Sequence, residues 1–295
     1  RSLRPAAGRW RDVWIVFTVT WSVAVLLHLA GNTRLAPEWG RATVGLAAVA
    51  LLARPRSRPL AALLAVAVLV NVWLEAPLLS NHWLLHGLIA VIVLGGVGLT
   101  RGDHHDVMAR IVGPLRLLQL AFYVFAAFAK LNTDFFEQAV SCGVFYLEES
   151  ARSWGAGGLV DGWPSAAQRG LAVAVASIEL VIPVLLVLRR TRSAGVVVAL
   201  AFHFVLALDR THQFFDFSAV LLSLFVLFLP SRGVARAVDL GRDLLSQARG
   251  RWDSGPELMR LVGLGAAALV VLIASGPGDW PAPPVLRAVG VVVWI

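Results

Sequence analysis

The stretch "VWIVFTVTWSVAVLLHLA", residues 13–30, has no acidic or basic side chain apart from His28, and it follows Arg1, Arg4, Arg9 and Arg11. At about 1.5 Å of rise per residue, a helix of this length crosses most of a hydrocarbon layer about 30 Å thick. A basic flank before an apolar run also marks an export signal. Here further apolar runs follow, so residues 13–30 read as a first transmembrane helix.

The pattern recurs at 37–53, 60–79, 83–100, 111–131, 166–188, 193–209, 214–230 and 258–275, with 285–295 opening a tenth run. The run at 37–53 is the weakest, because a perpendicular crossing takes about 20 residues. The composition agrees: 58% of the residues are hydrophobic and only 15% charged, and the mean hydropathy is +0.75. Soluble domains do not reach such values. Lipid offers backbone amides no partner, so these runs must be helices. The expected fold is an all-α polytopic membrane bundle of about nine or ten spans.

A formal charge of +8 would suggest nucleic acid in a soluble chain. Here the arginines lie between apolar runs, where they orient the chain, and no nucleic-acid partner is expected. Alternating the loops between sides places 19 of the 25 arginines on one side, including Arg54, Arg56, Arg58, Arg101, Arg110, Arg116, Arg189, Arg190 and Arg192. That side is read as cytoplasmic, with the N-terminus inside. The loop from 231 places Val234, Val238, Leu245, Ala248 and Trp252 on one helical face, which predicts a helix lying on the inner membrane surface. The longest outer segment, 132–165, is acidic, with Asp134, Glu137, Glu148, Glu149 and Asp161 against Arg152. A single cysteine, Cys142, rules out an intrachain disulfide and is read as a small packing residue.

The same alternation gives each ionisable residue a depth. His28, His82, His86, His203 and His212 all fall in the outer half, and only His104 and His105 face inward. Ionisable groups in a membrane are expensive and usually face a bundle interior or wet cavity, so the grouping predicts an outward-opening pocket. Single histidines bonded to neighbouring helices are the plainer reading.

The stretch "FYVFAAFAKLNTDFFEQ", residues 122–138, contains Lys130, the only lysine of the chain. Arginine serves as well as lysine at a membrane surface, but it keeps its proton, whereas a desolvated lysine can release one and act as a base. Lys130 is therefore a candidate general base, against the alternative that it snorkels to the interface. His82 and His86 have an i, i+4 spacing that could hold a metal. No carboxylate with ligand spacing lies near them in sequence and no third histidine is close, so no metal is expected. Hydrogen bonding to an anionic intermediate is the more economical role. Glu179, mid-span before Pro183, is open to three readings: a proton relay, a partner for a histidine, or a neutral helix contact. The glycine pair in "VLGGVG" reads as close helix packing.

Several of these pieces together resemble the HTTM (horizontally transferred transmembrane) domain family, which is related to the membrane domain of vitamin K-dependent gamma-glutamyl carboxylase. The matching pieces are "NHWLLHG" at 81–87, "FAAFAKLNTDFF" at 125–136 followed by "SCGVFYL", "IELVIP" at 178–183, and "AFHFVLALDRTHQFFDFS" at 201–218. They occur in the family's order. The resemblance divides the chain into an HTTM-like transmembrane domain over 1–230, the interfacial helix over 231–257 and further transmembrane helices over 258–295.

The resemblance implies a reduced vitamin K or menaquinone-like quinol as cofactor and Lys130 as the base that deprotonates it. It implies His82 as the assisting hydrogen-bond donor, with Asn81, His86, Asn132, Asp134, Glu179 and His203 supporting. Asp134 is expected to set the charge state of the lysine. The site would face outward from the cytoplasmic membrane, where a secreted peptide or protein substrate is the implied partner. The large extramembrane domain with which the carboxylases grip their substrate is not found within these residues, so peptide carboxylation is a further step. The alternative is a non-catalytic accessory, immunity or export factor. On that reading the acidic outer segment is a docking surface, and Lys130 pairs with Asp134 or Glu137.

Overall fold

The computed structural model describes residues 9–31, 37–137, 140–207 and 214–230, with residues 233–236, 238, 239 and 243 beyond them. His212, most of the expected interfacial helix, and the spans at 258–275 and 285–295 lie outside the described residues. Within the described residues the chain is helical, with no strand.

The helices are α1 Arg9–Gly31, α2 Glu38–Ala53, α3 Arg58–Glu75, α4 Asn81–Leu99, α5 His104–Lys130, α6 Thr133–Phe136, α7 Cys142–Ser153, α8 Ser165–Val187, α9 Arg192–Ala207 and α10 Phe214–Phe225. Five of them, α1, α3, α4, α5 and α8, are long and apolar enough to cross a membrane, and α9 and α10 are apolar but shorter. The weak second run forms the helix α2, with 16 residues.

Local chemistry explains where the observed bounds depart from the expected ones. The fifth helix begins earlier than the apolar run because Asp103 caps it. The Asp103 carboxylate accepts from His105 N at 3.0 Å, and Asp106 reaches back to Asp103 N at 3.2 Å. The third helix stops at Glu75 rather than 79, ahead of Pro77, which cannot donate to a helical ladder. The outer segment 132–165 is not a plain loop: α6, α7 and a short 3-10 turn at Gly157–Leu159 occupy it.

Helix α1 lies at the centre, packed against α2, α5 and α10, with α3 joining α2 to α4 and α8 joining α5 to α9. Trp14, Phe17, Trp21, Ala24 and Val25 of α1 are fully buried. The outward faces are apolar as well. Leu63, Val66 and Val70 of α3, Val124 and Phe125 of α5, and Val181 and Val184 of α8 are exposed. Helices apolar on both faces suit a bundle surrounded by lipid, and the protein is membrane-embedded.

Lipid is as apolar as leucine, so close packing and polar ties hold such helices together. A Cβ on Gly96 of α4 would lie 2.1 Å from Cγ2 of Ile111 on α5, so this glycine lets the two helices approach. A Cβ on Gly195 of α9 would lie 2.9 Å from Leu185 Cβ and 3.1 Å from backbone atoms of α8.

At one end of the bundle, arginines bind carbonyls that helix ends leave unpaired. Arg58 donates to Val97 O at 3.0 Å and also to the carbonyls of Thr100 and Gly102. Arg116 donates through Nε to Leu227 O at 2.9 Å, and Arg192 to Leu186 O at 2.9 Å. At the same end, Trp14 and Thr18 donate to Pro55 O at 2.8 and 3.0 Å. A planar guanidinium reaches several carbonyls at once, which an ammonium does less well. This is one reason the chain favours arginine there.

Candidate functional site

The opposite end of the bundle collects the C-terminal turns of α1, α5 and α9 and the N-terminal turns of α4 and α10. The histidines grouped by sequence depth, His28, His82, His86 and His203, come together there with Lys130. They form two adjacent clusters rather than one.

The first cluster centres on Asp216 in the first turn of α10. Its Oδ2 lies 3.2 Å from His28 Nδ1 on α1 and 3.2 Å from His82 Nε2 on α4. Its Oδ1 accepts from the backbone N–H of Phe217 at 2.5 Å. Asp216 and His28 are buried, and His82 is 24% exposed. The His28 ring stacks on Trp83 with centroids 4.2 Å apart. Ser80 caps α4 by accepting from Trp83 N at 3.3 Å, which starts the helix where His82 and His86 share one face. One turn deeper, His86 is fully buried, and its Nδ1 accepts from Trp21 Nε1 at 3.2 Å. That bond places the proton of neutral His86 on Nε2.

The second cluster centres on Lys130 in the last turn of α5. Its ammonium is 2.8 Å from Glu179 Oε2 on α8, and it reaches Ala126 O at 3.4 Å. The Phe135 ring lies over it at 5.9 Å. Pro183 lacks the N–H that would pair with the Glu179 carbonyl, so α8 is locally loosened beside the carboxylate. On the same faces of α5 and α9, the Tyr123 hydroxyl and His203 Nε2 are 2.6 Å apart, and Ser218 of α10 donates to His203 O at 3.1 Å. The Phe217 ring separates the clusters, its centroid 6.1 Å from that of His82 and 5.6 Å from that of His203.

The expected supporting residues fare differently. Glu179 is the carboxylate partner of the lysine. Asp134 is not; it is exposed and accepts from Thr133 at 3.4 Å. Glu179 reaches the amine from the neighbouring helix, whereas Asp134 sits beyond the helix end. Asn132 supports the site through the chain turn. Its Nδ2 donates to Ala129 O at 2.6 Å and its Oδ1 accepts from Phe135 N at 2.8 Å, which sets Phe135 over the lysine. Asn81 is exposed at the start of α4. Cys142, read as a packing residue, is exposed instead.

Within the acidic outer segment Arg152 gathers three of the five carboxylates, 3.2 Å from Glu148, 3.4 Å from Glu149 and 3.3 Å from Asp161, and the segment stays net negative. A groove of about 540 Å³ opens beside the end of α5, lined by Leu131, Asn132, Thr133, Phe136, Glu137 and Arg169. It begins one residue past Lys130 and does not include either cluster.

Sequence reasoning misses Asp216 and Tyr123. Asp216 is visible as a lone carboxylate opening the apolar run "FFDFSAVLLSLF" at the end where the histidines gather. Tyr123 is one of only two tyrosines, and it lies about two turns before Lys130 on the same helix.

The chain matches no family model, no curated protein and no solved structure.

Proposed function

We propose that the chain is an HTTM-type multi-pass protein of the cytoplasmic membrane, with about nine or ten spans and an inside N-terminus. On this reading the histidine end faces outward, binds a reduced quinone and removes a proton from it with Lys130. The observation that carries it is the pairing of the only lysine with a carboxylate, 2.8 Å away, at the end of the bundle where four histidines meet.

The pair suits proton transfer. On this reading Lys130 takes the substrate's proton as a free amine, and Glu179, reaching across from the neighbouring helix, holds it in place at the end of α5. Groups of the kind that contact an aromatic diol are at hand: Phe135 and Phe217 are aromatic neighbours of Lys130 and His203, and His203 Nδ1 is a buried polar atom without a hydrogen bond among the described residues. A reduced quinone supplies the acidic hydroxyls and the oxidisable ring. The protein orients it, excludes water and receives the proton.

The test is to purify the protein in detergent, supply reduced menaquinone or vitamin K with oxygen, and follow product formation. Wild type is expected to be active, with Lys130→Ala and Lys130→Arg each lowered at least about a hundredfold. Equal turnover in all three sinks the base assignment.

A second reading has its own support. The Lys130–Glu179 pair joins α5 to α8, as a structural tie in an accessory or export factor would. A tie tolerates arginine at position 130, whereas a base does not.

A further inference from the structure

We infer that His28, His82 and Asp216 form a binding site for one divalent transition-metal ion, of the zinc or ferrous iron type. This reading leaves the lysine pair untouched but shares His82 with the quinol proposal.

Geometry carries it first. Two ligand atoms bound to one tetrahedral ion at about 2.0–2.1 Å lie about 3.4 Å from each other. Asp216 Oδ2 is 3.2 Å from His28 Nδ1 and 3.2 Å from His82 Nε2, and the three atoms all lie within 4.8 Å of one another. The three atoms are close enough to be shared by one ion. The three donors come from α1, α4 and α10, so the site is set by packing rather than by one mobile loop.

Although His82 Nε2 is close to the carboxylate, it makes no hydrogen bond there, and the atom is buried from solvent. In the Asp216 carboxylate, Oδ1 accepts the Phe217 N–H at 2.5 Å and Oδ2 is the oxygen close to both histidines. The His28 ring is fixed by stacking on Trp83 at 4.2 Å with planes 8° apart. Such outer contacts orient ligands in metal proteins.

Donor chemistry narrows the ion. Two imidazoles and one carboxylate favour zinc or ferrous iron over magnesium or calcium, which prefer all-oxygen sites. Among the described residues three protein ligands reach the ion, the number found in catalytic rather than structural metal sites. His86 does not add a fourth through Nδ1, because that atom accepts the Trp21 N–H. Binding displaces the proton that His28 shares with Asp216. The partial exposure of His82, 24%, gives the ion a route in.

Along the chain no carboxylate with ligand spacing and no third histidine lies near His82. The folded bundle supplies them from helices distant in sequence.

The experiment loads the detergent-purified full chain with Zn²⁺, and separately with Fe²⁺ without oxygen. Free ion is then removed and metal per chain measured by mass spectrometry. About one ion per chain is expected for wild type and for Lys130→Ala, and at least about tenfold less for Asp216→Asn and His82→Gln. Thermal unfolding with and without Zn²⁺ is the second readout: wild type should melt higher with the ion, and His82→Gln should melt at the same temperature in both. Wild type that retains no metal and shows no shift, or both variants retaining it fully, overturns the site and leaves a hydrogen-bonded His–Asp–His contact.

Discussion

Glu179, midway along α8, lies 2.8 Å from Lys130 in the last turn of α5. Removing one member leaves the other partly buried without its counter-charge, which costs about 1–3 kcal/mol. Lys130→Met and Glu179→Leu should each lower the unfolding temperature in detergent. The double substitution should recover much of the loss, because two apolar side chains replace two charges. Additive losses would mean that the pair is not coupled.

Asn132 ties the end of α5 to α6 through both ends of its amide, to Ala129 O and Phe135 N. Asn132→Ala should cost about 1 kcal/mol as a lost helix cap. Asn132→Asp keeps the acceptor for Phe135 N and should lose less stability. If the base reading holds, Asn132→Ala also lowers turnover more than its stability loss explains, because Phe135 no longer sits over Lys130. A comparison of melting curves with turnover at saturating quinol checks both points.

Gly96 and Ile111 set the approach of α4 to α5. Gly96→Ala places a methyl 2.1 Å from Ile111 Cγ2 and should cost about 1–3 kcal/mol. Ile111→Ala removes that atom, so the double variant should be more stable than the sum of the single effects implies. Gly95 is the control: a methyl there would meet nothing within 4 Å, and Gly95→Ala should be close to neutral in the same melting experiment.

Arg58 serves carbonyls of Val97, Thr100 and Gly102 together. Arg58→Lys keeps the charge but not the fork, and should lose about 1–2 kcal/mol. A variant as stable as wild type would show that charge alone matters at this end.

Helix class and the gathering of histidines at one end are legible in the sequence because apolar runs and alternation fix depth along each helix. Rotation about each helix axis is not. The apolar runs are hydrophobic all round, so periodicity does not tell which side of α5 faces α8 or which side of α10 faces α1. For that reason sequence alone pairs Lys130 with the nearby Asp134 and Glu137, while its partner is Glu179. For the same reason Asp216, two residues into α10, carries no signal until packing brings it to His28 and His82. Turn chemistry is partly readable: the Asp103 box moves the start of α5, and its residues are adjacent in sequence.

The arginine forks have a mechanical consequence. Arg58, Arg116 and Arg192 clamp helix ends to their neighbours at one pole of the bundle. The opposite pole is clasped as well, by Arg41 on Leu29 O at 2.7 Å, by Asp216 between His28 and His82, and by Lys130 on Glu179. A bundle buckled at both poles parts its helices there only by breaking one of these polar ties.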